Sequence, residues 1–494
     1  MRSSGSHQCP VGLLIVVHSK RFSVPVPADF GYRAAMSPPN RLEHQRRTFN
    51  SGRIALGLTL ALGAGYWVAC ADTTPPPAPP PTITVPPVAY ERVVMPPASA
   101  SQAAAVAPKL QGPTWTDDVK YLEAHGPVIQ LESAEHGVVA LSGKYQARVM
   151  TSAVTRDTAS LGYINRSFIN EGKTGTAFDS YGGEDRFWLG PEGGQYSLYF
   201  SKGKRFEFAS WQVPAAMQEG EWTVVEKAAS SVVFSHPMKL TNRAGASFEL
   251  EVKRTVRVLT NQEVLARLSG TTTLGPTQWV GFETVNQITN KGKKAWTKKD
   301  GLVSIWILSM FNPLVDMNVV IPFETSAQGE IVNDRYFGVV PSERLHVFAD
   351  QGFLTFQCDG RLRSKIGIGP KRAKTWLGSY SESAALLTLV NYDRIEGAKD
   401  YVNSMWAQQK DPYSGDVVNS YNDGPQAPGQ PGLGGFYEME TSSPAAALQP
   451  GQSMTHVQRT MHFVGKRSDL ESLAKAALGV SLDRIVEVTK PPAK

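Results

Sequence analysis

Cysteine is scarce in this chain. Its 494 residues include three cysteines, Cys9, Cys70 and Cys358, which are too few and too widely separated for a disulfide framework or a cysteine-based metal site. The sequence also has no nucleotide-binding glycine loop, no zinc-ligand spacing, no GxSxG turn and no calcium loop. These absences disfavour several familiar enzyme classes, and we expect neither a metal ion nor a cofactor.

Excess positive charge is confined to the N-terminal region. The chain has 50 Lys and Arg residues against 44 Asp and Glu, a formal net charge of +6. Residues 1–53 hold eight of these cations and two of these acids, which leaves 42 of each sign in the rest of the chain. A mature protein without this N-terminus would be close to neutral, so we expect no nucleic acid partner.

The N-terminal region has the pattern of an export signal. Three arginines between residues 46 and 53 precede the apolar run IALGLTLALGAGYWVAC, which ends at Cys70. A basic segment, an apolar segment and small residues before a cysteine are typical of a bacterial lipoprotein signal, in which Cys70 would be lipidated. A retained membrane anchor is the alternative, because 17 residues lie at the short end for a spanning helix. Both interpretations export the rest of the chain.

Residues 1–72 are therefore interpreted as an N-terminal extension with a lipoprotein-type signal peptide, and translation could begin at Met1 or at Met36. Residues 73–111 are rich in Pro and Ala with almost no charge, a composition typical of an extended, disordered linker. We expect this linker to hold a folded domain off a membrane, on a periplasmic or other extracytoplasmic face of the cell envelope.

Residues 112–490 have the pattern of one large antiparallel β-sandwich. After a predicted helix in TWTDDVKYLEAHG, short alternating segments such as VVALSG, QYSLYFS, IVNDRYFGVV and FLTFQC follow at spacings typical of sandwiches and barrels. SFELEVKRTVRVL and VLARLSGTTTL, separated by TNQE, are predicted to form a hairpin. Leu470, Leu473, Ala477 and Leu478 recur at helical spacing and predict a closing helix. The fold class is all-β with a few short helices, and Cys358 is expected to be a small buried residue.

The segment YGGEDRFWLGPEGGQYSLYF, residues 181–200, is unusual for a strand. Its charged residues Glu184, Asp185, Arg186 and Glu192 lie between two Gly-Gly pairs, with the aromatic Trp188 among them. Glycine allows close backbone approach, aromatic faces stack on sugar rings, and carboxylates and guanidinium groups bind hydroxyls. The composition favours a carbohydrate site; a structural turn with Arg186 paired at the surface is the alternative.

Two further segments gather charge. In CDGRLRSKIGIGPKRAKTWLGSY, Arg361, Arg363 and Lys365 alternate as on one strand face, and Arg372 follows. A solvated edge strand is the alternative there. In GGFYEMETSSPAAALQPGQSMTHVQRTMHF, two carboxylates, Glu438 and Glu440, share a strand face. Paired carboxylates beside a cleft can serve as a general base, although ordinary sheet positions are the alternative for this segment and its histidines.

These three segments resemble an exported bacterial protein family of unknown function, DUF6786, which is distantly similar to the galactose mutarotase-like superfamily. The resemblance covers roughly residues 115–465 and implies a galactose mutarotase-like supersandwich. A glutamate strand followed by a Leu-x-Pro-Gly turn resembles the catalytic segment of mutarotases, which implies Glu438 or Glu440 as the base. Arg186 would hold sugar hydroxyls, and His236 is a candidate acid by chain position, although its surrounding motif departs from the enzymes.

The leading interpretation is a membrane-tethered extracytoplasmic protein that binds a carbohydrate or glycoconjugate, with mutarotase- or epimerase-like chemistry as an extension. The candidate binding residues are Glu184, Asp185, Arg186, Trp188, Glu192, Arg363, Lys365 and Arg372. A structural or protein-interaction module of the envelope is the alternative. Convergence of the charged residues in one concave pocket would favour a small polar ligand over that alternative.

Overall fold

The computed structural model describes residues 110–175, 177–425 and 430–488. Strands dominate, as predicted for an all-β class, and helices are few and short. The first nine strands are β1 (Ile129–Glu132), β2 (Val138–Ser142), β3 (Arg148–Ala153), β4 (Arg186–Gly190), β5 (Thr223–Lys227), β6 (Ser231–Thr241), β7 (Ser247–Val258), β8 (Gln278–Asn290) and β9 (Ser304–Phe311). The remaining strands are β10 (Asn318–Pro322), β11 (Leu345–Phe348), β12 (Phe353–Gln357), β13 (Ser364–Ile368), β14 (Trp376–Ser381), β15 (Leu386–Tyr392), β16 (Val418–Asn422), β17 (Tyr437–Ser442) and β18 (Ser453–Val464).

Five α-helices are present in the described residues: α1 (Trp115–Glu123), α2 (Arg166–Glu171), α3 (Asn261–Leu265), α4 (Arg467–Leu478) and α5 (Leu482–Glu487). Two single turns of 3-10 helix, Phe208–Ser210 and Ala215–Met217, lie between β4 and β5. No helix of this described part is long and apolar enough to cross a membrane.

The strands form three antiparallel sheets. A ten-stranded sheet has the order β11-β12-β10-β14-β15-β18-β8-β7-β6-β5, a five-stranded sheet has the order β13-β16-β17-β9-β4, and β1, β2 and β3 form a small third sheet. Several neighbours are distant in sequence, such as β15 beside β18 and β9 beside β4. The five-stranded sheet therefore brings together chain segments around residues 186, 306, 365, 420 and 438.

The ten-stranded and five-stranded sheets enclose the main hydrophobic core. Ile305 and Ile307 of β9 belong to the same buried cluster as Val252 and Phe282 of the larger sheet. Burial of such aliphatic and aromatic side chains is the main favourable term in folding. Polar contacts also cross the interface, since Gln458 donates to Ser309 Oγ at 2.9 Å. The predicted large antiparallel sandwich is confirmed by this arrangement.

Helices pack against two of the sheets, α4 against the ten-stranded sheet and α1 against the small third sheet. The predicted closing helix is α4, and its apolar residues Leu470, Leu473, Ala477 and Leu478 are buried against Leu387 and other outer-face residues of the ten-stranded sheet. The predicted first helix is α1, where Thr114 and Asp117 form a capping box that satisfies free backbone N–H groups. Both helix predictions are confirmed.

The predicted hairpin between residues 247–259 and 264–274 is wrong. The strand β7 instead pairs with β6 and β8, and α3 occupies the chain after Thr260. The segment TNQE was interpreted as a turn, but Thr260 and Glu263 form a capping box that starts a helix. QYSLYFS and IVNDRYFGVV were predicted as strands and form none; the second has one isolated bridge, Asn333 to Gly367. The predicted signal, Cys70 and most of the linker lie outside the described residues.

Candidate functional site

The five-stranded sheet has one apolar face and one charged face. Alternate residues of a strand point to opposite faces, and on β17 the side chains of Tyr437 and Thr441 contact the ten-stranded sheet through Ser379 and His456. Glu438 and Glu440 consequently point to the other side, away from the core. The predicted sharing of one face by these two glutamates is found in the structure.

Strand register builds the charged face from all five strands. Across the strands, Lys365 is opposite Tyr421, which is opposite Glu438. In the next row, Glu440 is opposite Leu308, which is opposite Arg186. The row after that pairs Trp306 with Trp188. Three rows of one pleated surface thus place cations, carboxylates and indole rings side by side.

This face is the floor of a pocket with an aromatic wall. The outline of this pocket encloses about 460 Å³, a volume that includes open solvent at its mouth. Its lining consists of Phe178, Arg186, Trp188, Glu192, Phe208, Trp211, Trp306, Leu308, Phe337, Arg363, Lys365, Trp406, Tyr421, Leu433, Phe436 and Glu438. Nine of these residues are aromatic and five are charged, and they come from segments up to 260 residues apart in the sequence.

Two ion pairs cross the floor diagonally. Arg186 Nη2 donates to Glu438 Oε1 at 2.7 Å, and both side chains are less than a tenth exposed. Lys365 Nζ donates to Glu440 Oε2 at 2.8 Å, and the indole N–H of Trp306 donates to the same oxygen at 2.8 Å. Buried charges require such partners, because taking an unpaired charge out of water is costly. Each glutamate of β17 therefore has its own cation.

Unused hydrogen-bonding capacity remains at this floor. Nε and Nη1 of Arg186 are buried and have no hydrogen-bond partner in the described protein, and the same holds for Oε1 of Glu440. Buried polar atoms are nearly always hydrogen-bonded, to protein or to ordered water. The guanidinium of Arg186 lies 4.0 Å from the ring centre of Trp188. One flat face of the guanidinium is therefore covered by the indole ring, while Nε and Nη1 remain free to donate hydrogen bonds. This arrangement suits a polar ligand or water molecules.

Burial shifts the protonation of the pocket acids. It raises the pKa of Glu438 to about 8, with Glu440 adding to the shift and Arg186 opposing it. It also raises the pKa of Glu192, against the influence of Lys365. Burial opposes the charging of Lys365, but Glu440 and Glu192 outweigh it and raise the Lys365 pKa. A carboxyl group with a pKa near neutrality can accept or release a proton under physiological conditions.

Aromatic residues build the wall above this floor. Trp211 is stacked on Tyr199 with ring planes 7° apart, on Phe208 with planes 16° apart and on Trp406 with planes 23° apart. Phe208 lies at the outer end and is 37% exposed. A flat, partly exposed ring such as Phe208 can stack on the apolar face of a sugar.

A close backbone contact positions Glu192. A side-chain carbon added at Gly193 would lie 2.1 Å from the carbonyl oxygen of Met405, so only glycine lets this loop lie against the loop that carries Trp406. The backbone N–H of Glu192 donates to Ser404 Oγ at 3.1 Å in the same contact. Close packing of the two loops thus explains why glycine follows Glu192.

Two of the predicted binding residues lie in the core between the sheets. Glu184 is fully buried, bound to His462 Nε2 at 2.8 Å and to Ser152 Oγ at 2.7 Å. Asp185 is fully buried and pairs with Arg254 at 2.5 Å. Neither lines the pocket. Both residues precede β4 and face the ten-stranded sheet. They therefore lie outside the pocket, although they are next to Arg186 in the sequence.

Arg372 and His236 also lie outside the pocket lining. Arg372 is bound to the backbone carbonyls of Glu324, Thr325, Gly329 and Glu330 and holds that loop together. His236 belongs to β6 of the ten-stranded sheet, where it is stacked on Trp222 with ring planes 5° apart. Its position gives it no contact with Glu438 or Glu440, so the structure does not support His236 as their acid partner.

The strand predicted to carry three cations is shorter than expected. The strand β13 begins at Ser364, so Lys365 lies within it while Arg361 and Arg363 precede it. Arg361 is exposed, and Arg363 reaches the pocket from the preceding turn. The prediction that three cations share one strand face is wrong, because the Asp359–Gly360 turn continues through residue 363.

The aromatic wall was not found from the sequence. Trp211, Trp306, Phe337, Trp406 and Tyr421 lie in five separate segments, and no local pattern joins them. Trp306 had a detectable signal, since it alternates with the apolar residues of GLVSIWILSMF and faces away from the core. Tyr421 lies on β16, whereas Trp211, Phe337 and Trp406 reach the pocket from segments outside the strands, which periodicity does not describe.

Within the described residues, no group of three or more His, Cys, Asp or Glu side chains is arranged to hold a metal ion. The search of curated proteins found no match to this chain. Solved structures that match it include a GalM/aldose epimerase homologue from C. elegans, at 13% identity and a TM-score of 0.39, over 68% of this chain and 98% of that one. Another is a galactose mutarotase related enzyme from Lactobacillus acidophilus, at 11% identity and a TM-score of 0.38, over 68% and 97%.

A protein family also matches most of the chain. The model of a family of unknown function, DUF6786, matches residues 113–489. This range includes every strand of the three sheets and every residue that lines the pocket. The family expected from the three charged segments is thus confirmed, and the chain belongs to the DUF6786 family.

Proposed function

We propose that the pocket on the five-stranded sheet binds a saccharide. The observation that supports this most directly is the convergence of Arg186, Glu192, Lys365 and Glu438 in one concave site lined by nine aromatic residues. Charged groups dispersed over a convex surface would have favoured the alternative, an envelope interaction module. Concave sites with a few placed polar groups among apolar side chains are typical of small-molecule binding.

The chemistry of the lining suits sugars in particular. A pyranose ring has apolar C–H faces and a periphery of hydroxyl groups. Phe208 offers a partly exposed flat apolar surface, and the buried rings of Trp188 and Trp211 line the same pocket, while Arg186 offers two buried nitrogen donors without a protein partner. Glu438 and Glu192 offer carboxyl groups that can accept or donate hydrogen bonds, depending on protonation.

We extend the proposal to acid–base chemistry at the anomeric centre. Glu438 would take the proton of the anomeric hydroxyl while a protonated Glu192 gives a proton to the ring oxygen, so that the C1–O bond of the ring opens to an aldehyde. Reclosure on the other face returns both protons and inverts C1. The raised pKa of Glu192 suits the acid role. Glu438, whose pKa is about 8, acts as the base in its ionised form, which Arg186 stabilises, so the rate should rise as the pH approaches 8.

The experiment is sugar binding followed by anomerisation. The purified full chain is screened on a glycan array, and interconversion of the anomers of bound sugars is followed by NMR for the wild type, Glu438→Gln and Glu440→Gln. We expect Glu438→Gln to slow the reaction by about 10²–10⁴-fold, the usual contribution of a general base. Equal rates in all three proteins would remove the catalytic part, and absence of binding to any saccharide would remove the whole proposal.

The proposed location rests on the N-terminal sequence alone. We propose that Cys70 is lipidated and that residues 73–111 tether the sandwich to a membrane outside the cytoplasm. Labelled palmitate should enter the wild type in a bacterial host and fail to enter Cys70→Ser. Equal labelling of both proteins, or none in either, would contradict the lipid anchor.

A further inference from the structure

The cations of the pocket are not equally neutralised. Arg186 and Lys365 each bind a buried carboxylate. Arg363 lines the same pocket. No carboxylate oxygen of the described residues, however, lies within 4.0 Å, the limit for an ion pair, of its guanidinium nitrogens. A partly buried arginine without an anion is unusual, because guanidinium groups usually pair with carboxylates when they leave bulk water.

Aromatic rings hold the faces of this guanidinium. Its central carbon lies 3.6 Å from the ring centre of Phe337 and 5.6 Å from the ring centres of Phe208 and Trp406. Stacking stabilises an arginine and fixes its plane, but it uses the faces and leaves the N–H groups at the edge. The buried Nε of Arg363 has no hydrogen-bond partner in the described protein. The guanidinium of Arg363 is therefore held in a fixed plane with its Nε free. Another part of it interacts with the Tyr421 hydroxyl and opposes the rise that burial causes in the pKa of that group.

Asp423 and Glu438 are bound to other groups, and Glu192, which lines the same pocket, forms no ion pair with Arg363. Burial raises the pKa of Glu192, and Lys365 and Arg363 oppose that rise. Asp423 accepts hydrogen bonds from the hydroxyl of Tyr421 at 2.8 Å and from the backbone N–H groups of Gly434 and Gly435 at 2.9 and 2.8 Å. Glu438 is bound to Arg186 at 2.7 Å. These contacts fix both carboxylates in place, so the charge of Arg363 remains for a group that enters the pocket.

Exposed basic residues precede Phe208, a pocket residue whose ring centre lies 5.6 Å from the Arg363 guanidinium. The chain that leads to Phe208 carries Lys202, Lys204 and Arg205, all exposed, with Glu207 as the acid nearby. Arg205 and Glu207 approach to 3.7 Å and are both well exposed, so their pairing is weak. Phe206 packs against Phe200, which contacts Trp406. This basic segment is thus joined to the aromatic wall through packed rings.

We propose that the saccharide of this pocket is acidic, and that its carboxylate is bound in the plane of the Arg363 guanidinium while the sugar ring stacks on the wall. The exposed cations at residues 202–205 extend the attraction to further acidic units of the same chain. This inference rests on the proposed saccharide-binding function and names its substrate class, a uronic-acid-containing oligosaccharide. A guanidinium fork matches the two oxygens of a carboxylate.

The test compares an acidic trimer with its neutral form. Trigalacturonate and triglucuronate are each titrated into the full chain at about 0.15 M salt, alongside the fully methyl-esterified trimers, and affinities are measured by calorimetry. The ester keeps the ring and the hydroxyls but removes the charge. We expect the acidic trimer of at least one sugar to bind at least about tenfold more tightly than its ester, the effect of one charge-assisted pair.

Two arginine variants separate a specific contact from general charge. Arg363→Gln should abolish the preference for the acid over the ester. Arg361→Gln removes the same charge two residues away, at an exposed position outside the pocket, and should keep the preference within about threefold. Circular dichroism and the urea midpoint of each variant establish that both are folded.

Each outcome has a distinct meaning. Acid and ester binding with equal affinity would overturn this inference and leave the saccharide-binding function standing. A preference for acid that both variants reduce equally would overturn the role of Arg363, since the net charge alone would explain it. If neither trimer binds and a glycan array of neutral and acidic saccharides also gives no binding, the proposed function fails, and this inference fails with it.

Discussion

Arg186 of β4 donates a 2.7 Å hydrogen bond to Glu438 of β17, although 252 residues separate the two in the sequence. The strand β9 lies between their strands, and the pair bridges it diagonally. Removing one partner of a buried pair leaves an uncompensated charge, whereas removing both does not. This asymmetry gives the pair a testable signature.

Above pH 8, where Glu438 is ionised, we expect Glu438→Leu to lower the free energy of unfolding by about 3–5 kcal/mol, because the charge of Arg186 is then buried without a partner. The double variant Arg186→Met/Glu438→Leu should recover most of that loss, because no charge is then buried alone. Urea denaturation of the wild type, both single variants and the double variant measures the coupling. Additive losses in the double variant would show that the two side chains do not interact.

Glu438 should also make stability depend on pH. Burial raises its pKa to about 8 in the folded protein, so between about pH 5 and pH 8 the folded chain holds a proton that the unfolded chain has released. Unfolding then releases a proton, and a rising pH favours unfolding by at most about 1.4 kcal/mol per pH unit. In Glu438→Gln this contribution should be missing. Urea midpoints from pH 5 to pH 8 test it, and identical pH profiles for the two proteins would contradict the shift.

Asp185 is expected to stabilise the fold without touching the ligand. It is fully buried and binds Arg254 at 2.5 Å, with Gln458 donating to its other oxygen at 3.1 Å. Asp185→Asn leaves Arg254 buried without a charge partner and should cost about 3–5 kcal/mol of unfolding free energy. Saccharide affinity of the folded variant should stay within about threefold of wild type. A large loss of saccharide affinity in a stably folded variant would contradict this prediction and indicate that Asp185 takes part in binding.

This contrast shows how far sequence reasoning reaches. Alternation correctly placed Glu438 and Glu440 on one face, because the two-residue period of a strand is local. Glu184, Asp185 and Arg186 are adjacent in sequence, but β4 begins only at Arg186. Asp185 forms an isolated bridge to Val149 of the third sheet and turns towards Arg254. The partner strand that decides this lies far away in the sequence, so composition could not separate the three residues.

The same limit applies to the turn before β13 and to the aromatic wall. Whether Arg363 belongs to a strand depends on where β13 starts to pair with β16, and this pairing starts at Ser364. Phe337, Trp406 and Tyr421 meet because loops and strands from three regions fold over one sheet face. Non-local contacts of this kind leave no period in the sequence.

The exposed end of the aromatic wall should contribute to binding more than to stability. Phe208 is 37% exposed and stacks on Trp211. Phe208→Ala is expected to weaken saccharide binding by about threefold to tenfold, the effect of one aromatic contact, with a stability change of about 0.5 kcal/mol or less. Val225→Ala, at an exposed site on β5, is the control. Calorimetric titration that gives equal affinities for the two variants would exclude Phe208 from the site.

A matched pair of glycines tests the support beneath Lys365. A side-chain carbon at Gly367 would lie 2.0 Å from Asp416 Oδ2, whereas at Gly369 the nearest atom is 3.7 Å away. Asp416 accepts a 2.6 Å hydrogen bond from Tyr336, whose ring lies 5.4 Å from Lys365 Nζ. Gly367→Ala must therefore displace Asp416 and disturb the ring that packs against Lys365.

We expect Gly367→Ala to lose at least about 2 kcal/mol of unfolding free energy, since a clash with a half-buried, hydrogen-bonded carboxylate is among the larger single-site effects. Gly367→Ala should also lower the saccharide affinity. Gly369→Ala should change the free energy of unfolding and the free energy of saccharide binding by no more than about 0.5 kcal/mol each. Urea denaturation and calorimetric titration measure both effects. If Gly367→Ala behaved like Gly369→Ala, Asp416 would have room to move, and the network it forms with Tyr336 would not hold Lys365 in the pocket.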